Sequence, residues 1–128
     1  MATLVLAPSY KMNIVLRVLR VLMAALFLFA AFGKLTSNPM MVEEFGKVGL
    51  GDGFRYFTGA LEVVGALALV TPFVSGVGAL LLLCVDVGAF FAQIALIHGD
   101  WIHTIVIGAI LAALVYWQRA QIRARLGL

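Results

Sequence analysis

Apolar residues along this chain do not alternate with polar ones. They run on, in four stretches at 14–35, 54–74, 76–97 and 102–117, and most of the polar residues fall in the connecting and terminal segments around them. An apolar run of roughly 20 residues crosses a hydrocarbon layer of about 30 Å as a helix, because lipid offers the backbone no hydrogen-bond partner. The pattern therefore predicts an all-α membrane protein, one domain built as a bundle of four transmembrane helices. The fourth run is the shortest. Segment 118–128 is a basic tail, and its 118–125 portion is expected to carry that helix on into the headgroup zone, which Tyr116 and Trp117 suit.

The connections differ in character. Segment 71–77 has Pro72, Ser75 and Gly76 and no charge, which reads as a compact hairpin turn. Segment 36–53 begins with Asn38-Pro39 and continues through an amphipathic stretch with Glu43, Glu44 and Lys47 on its polar positions. It ends in Gly49, Gly51 and Gly53. One or two helical turns lying in the membrane interface are expected there. Gly59, Gly65, Gly78, Gly88 and the Gly108-x-x-x-Ala112 pattern allow close helix approach, within one chain or between copies in a homo-oligomer.

Composition agrees with lipid as the solvent, since 64% of 128 residues are hydrophobic and 12% charged. The net charge of +3 comes from nine scattered Lys and Arg residues that flank the apolar runs, not from the basic stripe of a nucleic-acid binder. Lys11, Arg17 and Arg20 begin the first run and Arg119, Arg123 and Arg125 follow the last, which predicts that both termini are cytoplasmic. An even number of spans agrees. The first ten residues, broken by Pro8 and Ser9, lack the basic start of a signal peptide and are expected to form a short cytoplasmic arm. Cys84 stands alone, which excludes an intramolecular disulfide and a Cys-x-x-Cys relay.

Charges inside the apolar runs carry the chemistry. A carboxylate in the hydrocarbon costs several kcal/mol unless it is paired, neutralised or hydrated, so each one marks a candidate functional site. Glu62 is expected roughly 10–12 Å below the outer boundary and Asp86 near the midplane, counting about 1.5 Å per helical residue. By depth, Lys34 would pair with Glu62 and Arg20 with Asp86. Arg55, Thr58 and Glu62 share one helical face beside Gly59; Asp86, Phe90 and Gln93 share another at i, i+4, i+7. A carboxylate, a ring and an amide on one stripe suit a ligand with a polar head and an apolar body. The alternative for both pairs is that they are ion pairs that fix helix register. His98, Asp100 and His103 lack metal-ligand spacing, so no metal site is expected.

The stretch Phe29-Ala-Ala-Phe-Gly33-Lys34-Leu35 and the core Phe57-Thr58-Gly59-Ala-Leu-Glu62-Val-Val-Gly65 are similar to the DoxX-like family, and the likeness runs from about 14 to 118. The resemblance implies a small four-helix bundle of the bacterial inner membrane. Its relatives include a subunit of thiosulfate:quinone oxidoreductase, other membrane oxidoreductase components, and maturation or assembly factors. Lys34, Gly59 and Glu62 match the family core, whereas Asp86 has no counterpart from which a role transfers.

Two functions follow as expectations. In the first, the bundle binds a quinone or a similar amphiphile, with Glu62 relaying a proton and Lys34 orienting the head group. Arg55, Thr58, Gly59, Asp86, Phe90 and Gln93 are then candidate ligand contacts. No flavin, haem, iron–sulfur or nucleotide motif is present in the sequence, so an electron carrier would belong to another oxidoreductase subunit or be the quinone itself. In the second, the chain is a non-catalytic subunit or assembly chaperone that docks a partner through segment 36–53.

Overall fold

The computed structural model describes residues 10–128, and every regular element among them is helical. The elements are α1 (Tyr10–Leu35), α2 (Pro39–Val48), α3 (Asp52–Leu69), α4 (Ser75–Ala92), α5 (Ile102–Trp117) and α6 (Arg119–Leu126). A π-helical turn, Gln93–Ile97, prolongs α4. Apart from Tyr10, the N-terminal arm lies outside the described residues.

The four long helices pack in chain order, α1 on α3, α3 on α4 and α4 on α5, with α1 and α5 in light contact. Neighbours run antiparallel, since Gly65 meets Leu82 while Gly78 meets Leu69 across α3 and α4. Gly78 sits where a Cβ would lie 2.5 Å from the Leu69 amide nitrogen, so these two helices touch backbone to backbone. One apolar core joins them, made by Leu16, Met23, Ala24 and Phe27 of α1, Ala66 and Leu69 of α3, Ala79 and Leu82 of α4, and Leu111 and Leu114 of α5. The outer faces are also apolar, with Phe29 78% and Phe91 63% exposed. A water-soluble bundle hides such rings; one that dissolves in lipid presents them.

Lys11–Leu35 and Ser75–Ile97 are each long and apolar enough to cross a membrane. Ile102–Trp117 qualifies only together with Arg119–Leu126, as one span bent by 71°. The expected continuation of the fourth run is thus helical but sharply turned, and α6 folds back under the bundle. Gln118 Nε2 donates to Ser75 Oγ, and Gln121 accepts from the Gly76 amide at 2.7 Å while donating to the Pro72 carbonyl at 2.7 Å. Ile122 packs against Gly76. The second run also differs from expectation: its helix ends at Leu69, and the chain turns before Pro72, which has no N–H to continue a helix and disfavours helical geometry in the residue before it. With Asp52, Arg55 and Glu62 in 18 residues, α3 lacks the apolar signature of α1 and α4.

At the opposite end, α2 is longer than the one or two turns expected. Asn38 caps it by accepting the Met40 amide at 3.0 Å, Pro39 opens its first turn, and Gly49 at φ 80° closes it in the left-handed conformation that glycine permits. It lies against α3 and the π-helical turn and buries none of its own residues.

Candidate functional site

The buried stripe of α3 reads Arg55, Gly59, Glu62, Ala66, Leu69, at helical spacings of four and three. Its α6-end half is apolar and joins the core. Its α2-end half is polar and meets the end of α1. Lys34 Nζ lies 3.0 Å from Glu62 Oε1, with both side chains largely buried. Gly59 makes this approach possible: a Cβ there would stand 3.0 Å from Leu35 Cγ and 3.3 Å from Lys34 Cβ. Phe45 of α2 covers the cation, its ring centre 6.0 Å from Nζ, and itself packs on Phe54 at 5.9 Å.

Arg55, only 2% exposed, fastens the same junction. Its guanidinium donates to the Lys34 carbonyl and, at 3.0 Å, to Ser37 Oγ, pairs with Asp52 at 3.4 Å, and stacks 4.4 Å over the Tyr56 ring. The carbonyl of Lys34, in the last turn of α1, is one of the acceptors that a helix leaves unfilled, so Arg55 caps α1 from a neighbouring helix. Thr58 donates to the Phe54 carbonyl of its own helix at 2.9 Å and does not join this network.

A second locus lies between α4 and α5. An open groove of about 250 Å³ is lined by Leu83, Asp86, Val87, Phe90, Thr104, Ile105 and Gly108. Asp86 is 6% exposed and Thr104 2%. A Cβ on Gly108 would stand 2.7 Å from Asp86 Oδ2, so the missing side chain is what admits the carboxylate. Thr104 donates to the Trp101 carbonyl at 2.5 Å, which leaves its oxygen as an acceptor. Nearer the α2 end, a smaller cavity of about 190 Å³ is lined by Gln93, Ile94, His98, Gly99 and Trp101. Phe90 of the groove and Trp101 of the cavity meet edge to face at 6.3 Å. Gln93 stands where the α-helix widens into its π turn, and its buried Oε1 accepts no hydrogen bond from the described residues.

The family model for the DoxX-like family matches residues 18–117. The chain belongs to the DoxX-like family. No curated protein and no solved structure matches it. The matched segment of this DoxX-like protein contains both polar loci and stops before α6.

The sequence-selected residues divide between the two loci. Lys34, Arg55, Gly59 and Glu62 gather where α1 meets α3, while Asp86 and Phe90 line the groove and Gln93 the cavity beyond it. The expected Arg20–Asp86 pair does not form. Among the described residues the ion pairs are Lys34–Glu62, Arg55–Asp52 and His103–Asp100. The reason is topological: α1 packs along α3, and α4 lies on the other side of α3, so equal depth does not bring Arg20 to Asp86. Asp86 instead interacts electrostatically with His103, the first-turn histidine of α5.

Among the described residues no His, Cys, Asp or Glu group of three or more is arranged to hold a metal. Cys84 is exposed on the outer face of α4. Sequence reasoning noted Phe45 only as part of the family resemblance, and missed Ser37 and Tyr56 around the first locus and Thr104 and Gly108 in the second. Of the missed residues only Gly108 carried a signal, and that signal was for helix packing.

Proposed function

We propose that this DoxX-like protein takes an amphipathic, quinone- or lipid-like ligand into the α4–α5 groove as a component of membrane oxidoreduction. In this reading all four long helices span the bacterial inner membrane, both termini are cytoplasmic, and α2 lies on the outer surface. The observation that carries it is Asp86. This carboxyl group is buried, makes no ion pair or hydrogen bond among the described residues beyond its longer-range interaction with His103, and lines a groove whose other walls are chiefly apolar. An uncompensated carboxyl in a membrane is costly, and a ligand head group or a proton compensates it.

The chemistry follows from the groove's donors and acceptors. A protonated Asp86 donates a hydrogen bond to a ligand carbonyl, and Thr104 accepts one from a ligand hydroxyl. Phe90 and Ile105 flank the apolar body. Reduction of a quinone to a quinol takes up two electrons and two protons; Asp86 hands on one proton and, reprotonated from bulk water, the second, and the electrons come from a partner subunit. Lys34 and Glu62 then serve to hold α1 against α3.

The test compares Asp86→Asn with Glu62→Gln in purified protein, reading affinity for a short-chain quinone together with thermal unfolding. Asp86→Asn, whose amide is a weaker donor than a carboxylic O–H, is expected to weaken binding by up to about ten-fold, the upper worth of a hydrogen bond between neutral groups, with unfolding little changed. Glu62→Gln is expected to lower the unfolding midpoint and leave binding intact. Binding lost in a folded Glu62→Gln protein and kept in Asp86→Asn would move the ligand to the Lys34–Glu62 locus.

A second reading draws on α2, which buries no residue and leaves Met40 64% exposed. There the chain is a non-catalytic subunit that docks a partner on this helix. Met40→Glu would then abolish assembly with that partner while quinone binding persists.

A further inference from the structure

The charges of this protein are sorted by end. Lys11, Arg17, Arg20, Arg119, Arg123 and Arg125 lie at the end that carries α6, and none of the six acidic residues does. We propose that α6 is a binding element for anionic phospholipid headgroups, which it holds through Arg119, Arg123 and Arg125.

The geometry is built for it. The 71° bend at Gln118 turns α6 away from the direction of α5 and toward the plane of the membrane surface. The helix is not a frayed tail: Gln118 and Gln121 tie it to the 72–76 turn, and Ile122 is buried beneath it. Its arginines therefore stand on a fixed frame. Two of them are held flat. Arg119 lies 4.2 Å over the Tyr116 ring and donates to the Tyr116 carbonyl at 2.7 Å; Arg125 lies 3.6 Å over Phe73 and donates to its carbonyl at 3.0 Å. A guanidinium stacked on an aromatic ring keeps in-plane N–H groups for a phosphate, which it binds in bidentate fashion.

The surroundings select the source of that phosphate. Phe73, Tyr116 and Trp117 are 62%, 58% and 43% exposed around the arginines, the aromatic collar that sits among lipid headgroups. A free phosphate gains nothing from exposed rings, whereas a phospholipid supplies both the anion and the acyl chain. With no acidic residue on this face to neutralise them, the arginines complement a negatively charged leaflet, where each basic residue near the surface contributes about five-fold in affinity. The inference depends on the membrane reading alone and is independent of any ligand in the α4–α5 groove.

The experiment uses the full chain with Trp101→Phe, which leaves Trp117 as the only tryptophan. Reconstituted into phosphatidylcholine vesicles, Trp117 is expected to be quenched more by a minor fraction of brominated phosphatidylglycerol than by the same fraction of brominated phosphatidylcholine. Adding Arg119→Gln and Arg123→Gln, with Arg125 left to tether α6, is expected to remove that excess. Equal quenching by the two lipids in the parent would overturn the proposal without recourse to any variant, as would an excess that survives in the double variant. Loss of the excess on adding inorganic phosphate at constant ionic strength would also overturn it, because the site would then take a free anion.

Discussion

Lys34 Nζ and Glu62 Oε1 stand 3.0 Å apart, one at the end of α1 and the other in the middle of α3. The contact exists because Gly59 lets the two helices close and because Arg55 pulls the end of α1 onto α3. It converts two charges that lipid would reject into one neutral junction under Phe45. The carboxyl of Asp86 has no cation in contact among the described residues, and that contrast separates a structural pair from a candidate binding group.

Removing one member of the Lys34–Glu62 pair leaves the other charge buried and unpaired. Lys34→Met alone is expected to destabilise the fold by about 3–5 kcal/mol. Lys34→Met combined with Glu62→Leu is expected to recover most of that loss. Reversible unfolding of the single and double variants in one detergent measures the difference.

Arg55→Lys keeps the charge and loses the fork that reaches Lys34, Ser37 and Asp52 together. A cost of about 1.5–3 kcal/mol is expected, the worth of one hydrogen bond to a charged group. The same unfolding measurement reads it, and no loss would mean that the α1–α3 junction does not depend on this side chain.

Two glycines of α4 provide an internal contrast. Gly78→Ala drives a Cβ to 2.5 Å from the Leu69 nitrogen and 2.8 Å from the Gly65 carbonyl oxygen, backbone atoms that yield little, so a loss of about 1–3 kcal/mol or more is expected. A Cβ on Gly88 meets nothing within 4 Å. Gly88→Ala is therefore expected to be neutral or to stabilise by up to about 1 kcal/mol through helix propensity. The two unfolding midpoints, measured side by side, check the packing of α3 on α4.

Much of this arrangement was legible from the chain. Long apolar runs located the helices, and Asn38-Pro39 located the start of α2, because those signals are local. Lys34 and Glu62 were paired correctly by depth since α1 and α3, joined through α2, do pack together. Arg20 and Asp86 were mispaired by the same counting, which ranks residues along the bundle axis and is blind to which helix faces which. The bend at Gln118 was hidden for a related reason. Its cause is a set of hydrogen bonds from Gln118 and Gln121 to residues more than forty positions earlier. Likewise, the groove depends on Gly108 standing opposite Asp86, and the spacing along either helix does not reveal the other.

That opposition supplies a direct perturbation. Gly108→Leu places a side chain where the groove now opens beside Asp86 Oδ2. Short-chain quinone affinity is expected to fall at least about ten-fold, or roughly 1.4 kcal/mol, and titration of the folded variant checks it.

The most direct measurement is photolabelling of the reconstituted protein with an azidoquinone, followed by mapping of the labelled residues. The groove reading predicts adducts on α4 and α5, around Val87, Phe90 and Ile105, that excess quinone suppresses and Asp86→Asn diminishes. Labelling concentrated on α1 and α3 around Lys34 and Glu62, or labelling that excess quinone does not suppress, would contradict it.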